Sequence, residues 1–225
     1  MIEKISRNRV NGFLKAEERR IVNSKGEEFL PLGVAFGNWL LCEGNMWAFG
    51  EGNPYDRPRR FETLIRDLCG SAYATGFWKR FRDNFITEAD VEAIADIGFN
   101  SVRIPINWRV LMEDEPGIAF IEEGFQLIDR CIDWCEKYHL YVFLDLHGAP
   151  GGQTGAHIDD SIDNKPRLFM DADSHEKCLA LWREIARRYR DRWIVGGYDL
   201  LNAPIDHALP NMSHWQARVA ACYED

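Results

Sequence analysis

Apolar positions along the chain alternate between two rhythms. Short runs suit strands: FLPLGVAFG (29–37), NSVRIPI (100–106), YVFLDLHG (141–148) and VGGYDLLN (195–202). The first is apolar enough to predict a strand buried on both faces. Between them run segments of helical period. In TEADVEAIADIGFN, Thr87 caps a helix, Asp90 stands at its third position, Val91, Ile94, Ala95 and Ile97 share a face, and Gly98 ends it. Further helices are predicted over 122–138, about 175–192 and about 213–223. Near the start, the turn residues 23–26 lie between Ile21-Val22 and Phe29-Leu30, which predicts a hairpin within 12–30.

The order strand, helix, strand, helix predicts parallel strands joined by right-handed crossovers. Such a pattern fits a (β/α)₈ barrel or a doubly wound sheet. No GxGxxG follows a strand, and the glycine-rich run 148–155 follows a histidine and leads into no immediate helix, which counts against a phosphate cradle. Residues 1–225 read as one domain, with a long insertion at 41–86 after the first strand of the α/β pattern. A loop of that length carries function or its own structure, and short helices are predicted in it over 61–69 and 77–85.

Composition narrows the partners. With 225 residues, 46% hydrophobic, the chain can bury a sizeable core. A net charge of −9 argues against nucleic acid and against an anionic membrane surface, and leaves neutral ligands such as sugars open. No run approaches a membrane span and the first residues lack a signal-peptide pattern, so a cytoplasmic protein is expected. The six cysteines read as free thiols. Cys131 and Cys135 lie one helical turn apart without nearby Cys or His to complete a metal site, so they are expected to pack, and no metal or cofactor is expected.

Candidate chemistry sits at the strand ends, where (β/α)₈ enzymes place their sites. Asn38, Trp39 and Glu43 follow the first strand, Arg103 lies in the second, His147 ends the third, and Asn202 and Ala203 end the fourth. In YVFLDLHG, Val142, Leu144 and Leu146 share the face for helices, which turns Phe143, Asp145 and His147 inward. Val102, Ile104 and Ile106 turn Arg103 inward likewise, and Arg103 and His147 are expected at matching height. The plainer alternatives are a structural Arg103–Asp145 pair and a histidine that only satisfies hydrogen bonds. Asp145, one pleat below His147, reads as structural.

The segments GVAFGNWL with Glu43, FITEADVEAIADIGFNSVRIPINW, LDLHGAPGGQTG and YDLLNAP together resemble the successive signatures of family 5 glycoside hydrolases, with the flavour of the exo-1,3-glucanase-like branch, over about residues 10–206. The resemblance implies a (β/α)₈ barrel, of which this chain supplies about four βα units plus the hairpin. It also implies a retaining hydrolase of β-linked carbohydrates with two catalytic carboxyl groups. The family's Asn-Glu-Pro, whose Glu is the acid/base, reads here Asn202-Ala203-Pro204, which would leave that role vacant. By the same resemblance Arg103 would support the nucleophile, Asn202 would hold the sugar 2-hydroxyl, and His147 would bond sugar hydroxyls or order the site. Glu43 and Trp39 would grip the terminal sugar, with Asn38 beside them, and His157, Asp159 and Asp160 would lie in a loop near it. The family's later signatures, including the nucleophile Glu, have no counterpart here, so the rest of the barrel is expected from missing sequence, another chain or a partner copy. The expected activity is β-glycoside hydrolysis, inactivated by a Glu-to-Ala change whose favoured origin is deliberate replacement; the alternative is a carbohydrate-binding pseudoenzyme. The 41–86 insertion is expected to wall one end of the cleft and favour trimming of terminal sugars.

Overall fold

The computed structural model describes residues 10–49, 53–204 and 224. The helix expected over about 213–223 lies outside the described residues.

Four parallel strands form the frame: β3 (Gly33–Ala35), β4 (Ser101–Asn107), β5 (Tyr141–Gly148) and β6 (Val195–Asp199), hydrogen-bonded in the order β3-β4-β5-β6. The spatial order follows the chain order with no reversal. A doubly wound sheet needs such a reversal, so the arrangement is that of a barrel wall. Between the strands come α3 (Glu88–Ile97), α4 (Glu122–Lys137) and α5 (Ala172–Tyr189).

Local chemistry sets these boundaries. Thr87 and Asp90 form a reciprocal capping box at the start of α3, the Thr87 amide donating to the Asp90 carboxylate at 2.8 Å. Gly98 closes the helix at φ 109°, a left-handed conformation that glycine adopts without penalty. The aliphatic faces of β4 and β5 then bury. Ile104 and Leu144 are fully buried and join one core with Val91 and Ala95 of α3, Phe125, Ile128 and Ile132 of α4, and Leu181 and Ile185 of α5. Each Val, Leu, Ile or Phe among them contributes about 1.5–3 kcal/mol on burial. Cys131 and Cys135 are buried in the same core as free thiols, and no group of three or more His, Cys, Asp or Glu among the described residues is placed to hold a metal.

One expectation needs correction. The strand at 33–35 is not buried on both faces: Gly33 and Ala35 are exposed and Val34 is half-buried. β3 has a single strand neighbour, β4, so one of its edges is bare among the described residues. The N-terminal hairpin forms where expected: the Asn23 side chain accepts from the amides of Lys25 and Glu27 at 3.0 Å each, and the arms pair through the bridge Val22 to Glu28 and the Phe29 amide donating to the Ile21 carbonyl at 2.8 Å. A further ladder precedes it, joining β1 (Lys15–Glu17) to β2 (Arg20–Val22) through a turn at Glu18, φ 52°. This segment closes the floor of the sheet: the Tyr141 hydroxyl, at the start of β5, donates to the Gly12 carbonyl at 2.7 Å and accepts from the Asn11 amide at 3.0 Å.

The insertion has structure of its own. Its helices are longer than the apolar runs suggested, α1 (Pro58–Cys69) and α2 (Ser71–Phe85). They enclose a second apolar cluster of Cys42, Phe61 and Trp78, with Trp47, Phe49, Phe77 and Phe81 around it. No helix among the described residues is long and apolar enough to cross a membrane.

Candidate active site

The strand register fixes the heights of the inward side chains. Arg103 is level with Phe143, and Asp145 is level with Pro105 and Asp199, one pleat higher. Arg103 therefore starts four residues below His147, not at matching height, and its long side chain climbs to the site. Its Nη2 donates to Asp199 Oδ2 and Asn202 Oδ1, each at 2.9 Å, and lies 2.9 Å from Asp145 Oδ2. His147 Nδ1 lies 2.7 Å from the same Asp145 oxygen, and its Nε2 is 3.1 Å from Asn202 Nδ2. Arg103, Asp145, His147 and Asn202 thus close into one circuit.

Glu43 stands on the other side of the imidazole, 3.5 Å from Nε2. Asn38, left-handed at φ 64°, turns the chain out of β3 and accepts the Glu43 amide on its own side-chain oxygen at 3.0 Å. Glu43 is thereby aimed at His147 by a residue five positions earlier. The Leu40 carbonyl accepts from the Asn107 amide at 3.2 Å, which returns the segment to the sheet just before Glu43.

Electrostatics in this cluster pull in two directions. Burial disfavours a charged His147, but its bonds to Asp145 and Glu43 outweigh burial and push its pKa up to about 9. Arg103 holds the Asn202 oxygen, which leaves the amide nitrogen facing Nε2, and that contact needs the neutral ring. Glu43, 3.5 Å from Nε2, and the Asn202 amide, 3.1 Å from it, thus compete for the same ring nitrogen, the carboxylate favouring the charged ring and the amide the neutral one. Burial raises the pKa of Asp145 against the pull of His147 and Arg103. Asp145 Oδ1 is buried without a hydrogen-bond partner.

Other candidates fall elsewhere. Trp39 does not face the site: it is 2% exposed, its indole donates to the Arg82 carbonyl at 2.8 Å, and it packs edge-on to Phe36. The left-handed turn at Asn38 swings it under α2. Asp159 is fully buried and consumed by its own loop, accepting from Thr154 N at 2.7 Å, Thr154 Oγ1 at 2.8 Å and Ser161 N at 2.8 Å. No capacity is left in it for an external hydroxyl. Asp160 is equally buried, between Arg59 of α1 and Arg109. His157 is half-buried in the same loop. Ala203 is exposed at φ 39°, directly after Asn202, and its methyl group carries no proton.

Two participants had no role assigned from the sequence, although Asp199 stood out there as a tempting carboxylate. Asp199 is the carboxylate that Arg103 grips with both Nε and Nη2, at 3.2 and 2.9 Å. Gln153 ties the ends of β5 and β6 together through backbone carbonyls. Strand alternation pointed to Asp199, two residues above Gly197 on the same face; nothing local pointed to Gln153.

Comparison with known proteins adds an independent line. Residues 62–225 match the model of the cellulase family, glycosyl hydrolase family 5. A β-xylosidase of Phanerodontia chrysosporium is 32% identical over 209 residues, 93% of this chain and 43% of that protein. A glucan 1,3-β-glucosidase of Kluyveromyces lactis is 34% identical over 195 residues, 80% of this chain and 43% of that protein. An endoglucanase C of Acetivibrio thermocellus is 34% identical over 146 residues, 65% and 40% of the two chains. The chain therefore spans less than half the length of these relatives. Among solved structures, a rutinosidase from Aspergillus niger superposes with a TM-score of 0.69 at 18% identity, covering 87% of this chain and 58% of that one, which supports the barrel fold.

Proposed function

The chain belongs to glycosyl hydrolase family 5, and from that membership we propose that it forms the first part of a retaining β-glycoside hydrolase whose acid/base position is occupied by Ala203. The observation that carries the reading is the Arg103–Asp145–His147–Asn202 circuit with Glu43 at its rim, built at the C-terminal ends of adjacent parallel strands. Barrel enzymes assemble their chemistry on that face.

The arrangement suits a pyranose. Glu43 accepts hydroxyl hydrogens, and the Asn202 amide nitrogen, which now faces His147 Nε2, donates to a hydroxyl next to the anomeric carbon when the sugar takes its place against the ring. Such a contact strengthens as charge develops in the transition state. Arg103 supplies positive charge below the site and holds the Asn202 oxygen. Retaining hydrolysis needs two carboxyl groups about 5–5.5 Å apart, one to protonate the leaving oxygen and one to attack. Ala203 lacks the first, and the second comes with the strands that complete the barrel. The proposed substrate is a β-linked glucoside or related oligosaccharide; if the 41–86 insertion walls one end of the cleft, terminal sugars are trimmed, and rates on a capped oligosaccharide against a long polymer test that.

Sugar binding fits both this reading and a binding-only protein, so turnover in a restored variant separates them. The protein should bind cellobiose or laminaribiose and release little sugar from either. Ala203→Glu in the complete barrel should raise hydrolysis of an alkyl β-glucoside by about 10²–10⁴-fold, the usual weight of general acid–base catalysis. Binding without any gain of turnover in that variant would sink the hydrolase reading and favour a pseudoenzyme.

A further inference from the structure

The glycine-rich run 148–155 holds a buried side chain with an unusual set of bonds. Gln153 is fully buried. Its Nε2 donates to the His147 carbonyl at 2.7 Å and to the Asn202 carbonyl at 3.0 Å, and its Oε1 accepts from the Ala149 amide at 3.1 Å. Both amide hydrogens are used.

The location explains why one side chain makes these bonds. The β5–β6 register ends at the pair Asp145–Asp199, and the last backbone link is Asn202 N to Leu146 O at 3.2 Å. Above it the strands part, and the carbonyls of His147 and Asn202 face a gap. Each carbonyl needs a donor, because a buried acceptor left without one costs stability. Gln153 provides a donor to both from the same nitrogen.

The chain carrying Gln153 is fixed on both flanks. After it, Thr154 is bound through its amide and hydroxyl to Asp159, whose other oxygen holds the Ser161 amide. Before it, Gly152 sits at φ 81° with its carbonyl accepting from the Leu168 amide at 3.1 Å, and an added Cβ would lie 2.5 Å from Ser161 Cβ. Only glycine fits that conformation and that approach.

We propose that Gln153 is a positioning residue that sets the spacing between His147 on β5 and residues 202–203 beyond β6, the two halves of the sugar site. It holds the peptide between Asn202 and Ala203 by its carbonyl, so it also fixes the position where an acid/base group would stand. The proposal rests on the sugar-site reading given above, although the clamp is testable without it.

The test compares Gln153→Met, which keeps length and removes both donors, with Ile128→Val, a substitution in the buried core away from the loop. Cellobiose and laminaribiose affinities, thermal midpoints and the NMR titration of the His147 ring are measured in each. Gln153→Met should weaken binding at least about tenfold, since the buried His147 carbonyl and the half-buried Asn202 carbonyl both lose their donor. Ile128→Val should stay within about twofold of the parent, as uniform loss of stability does not reposition a site. Equal affinity loss in the two variants, scaled to their thermal midpoints, overturns the proposal. If Gln153→Met does not fold, Gln153→Glu replaces it: its affinity relative to the parent should fall as the new carboxylate ionises and stops donating, and a ratio constant with pH overturns the proposal. If the parent binds neither disaccharide, the sugar-site reading falls, and the His147 titration decides the clamp alone. A midpoint moved in Gln153→Met and unmoved in Ile128→Val supports it, and an unmoved midpoint in both overturns it.

Discussion

Replacing Asp160 with alanine should destabilise the protein more than any single loop substitution of ordinary kind. Asp160 is fully buried and receives the Arg59 amide at 2.9 Å, the Arg59 guanidinium at 3.3 Å and Arg109 Nη2 at 3.1 Å. The two arginine side chains are only 22% and 17% exposed, so removal of the carboxylate strands two half-buried cations and one backbone donor. Breaking a buried pair from one side costs about 3–5 kcal/mol. The lower end applies here, because Glu62 remains 2.7 Å from Arg109 and Asp114 remains 3.0 Å from Arg59. A loss of about 3 kcal/mol is a large share of the roughly 5–15 kcal/mol that folded domains possess. With a urea slope of about 2 kcal/mol/M, the denaturation midpoint should fall by about 1.5 M. Asp160→Asn, which keeps an acceptor for the Arg59 amide, should cost less. A midpoint shift under about 0.5 M for Asp160→Ala would refute the idea that this ionic staple holds the insertion to the β5–α5 loop.

Other outcomes follow from the same contacts. Glu43→Gln should lower the His147 midpoint from about 9 toward its ordinary value, read by NMR titration; an unchanged midpoint would show that the 3.5 Å pairing is not formed in solution. Because the folded pKa of His147 lies above its unfolded value of 6.5, its contribution to stability is complete below about pH 6.5 and is lost as pH rises through about 9. Glu43→Gln should flatten that part of a stability–pH curve, and a curve identical to the parent's would count against it. Thr87→Ala removes one side of the α3 capping box and should cost about 1 kcal/mol in urea unfolding; a change near zero would mean that Asp90 alone caps the helix. Trp39→Ala should cost about 3–5 kcal/mol by cavity formation and act on stability before affinity; affinity lost in a fully stable variant would return Trp39 to the site.

What could be read from residue order depended on how local its cause was. The capping box of α3 and the inward face of β5 are written within a few positions, so Thr87, Gly98, Asp145 and His147 were legible. β1 was not, because Lys-Ala-Glu carries no apolar alternation and is a strand only by pairing with β2. Trp39 was given a sugar contact by family resemblance alone; after the left-handed residue Asn38 its indole is buried and bonded to the Arg82 carbonyl. Asp159 and Asp160 looked alike as loop carboxylates, and only the fold shows one closing its own turn while the other reaches Arg59, 101 residues away in sequence. Gln153 had no local signature, since its partners are backbone carbonyls, one of them 49 residues distant. Arg103 was turned the right way by alternation, but its height was misjudged because register is a property of two strands.

Under the proposed function, the circuit around His147 binds a β-linked sugar beside Ala203. Isothermal titration of cellobiose and laminaribiose into the protein, and into its His147→Ala and Asn202→Ala variants, tests it most directly. The account predicts saturable binding of at least one disaccharide, without release of monosaccharide, weakened about tenfold or more in both variants. Binding that is absent from the parent, or unchanged when His147 and Asn202 are removed, would contradict it.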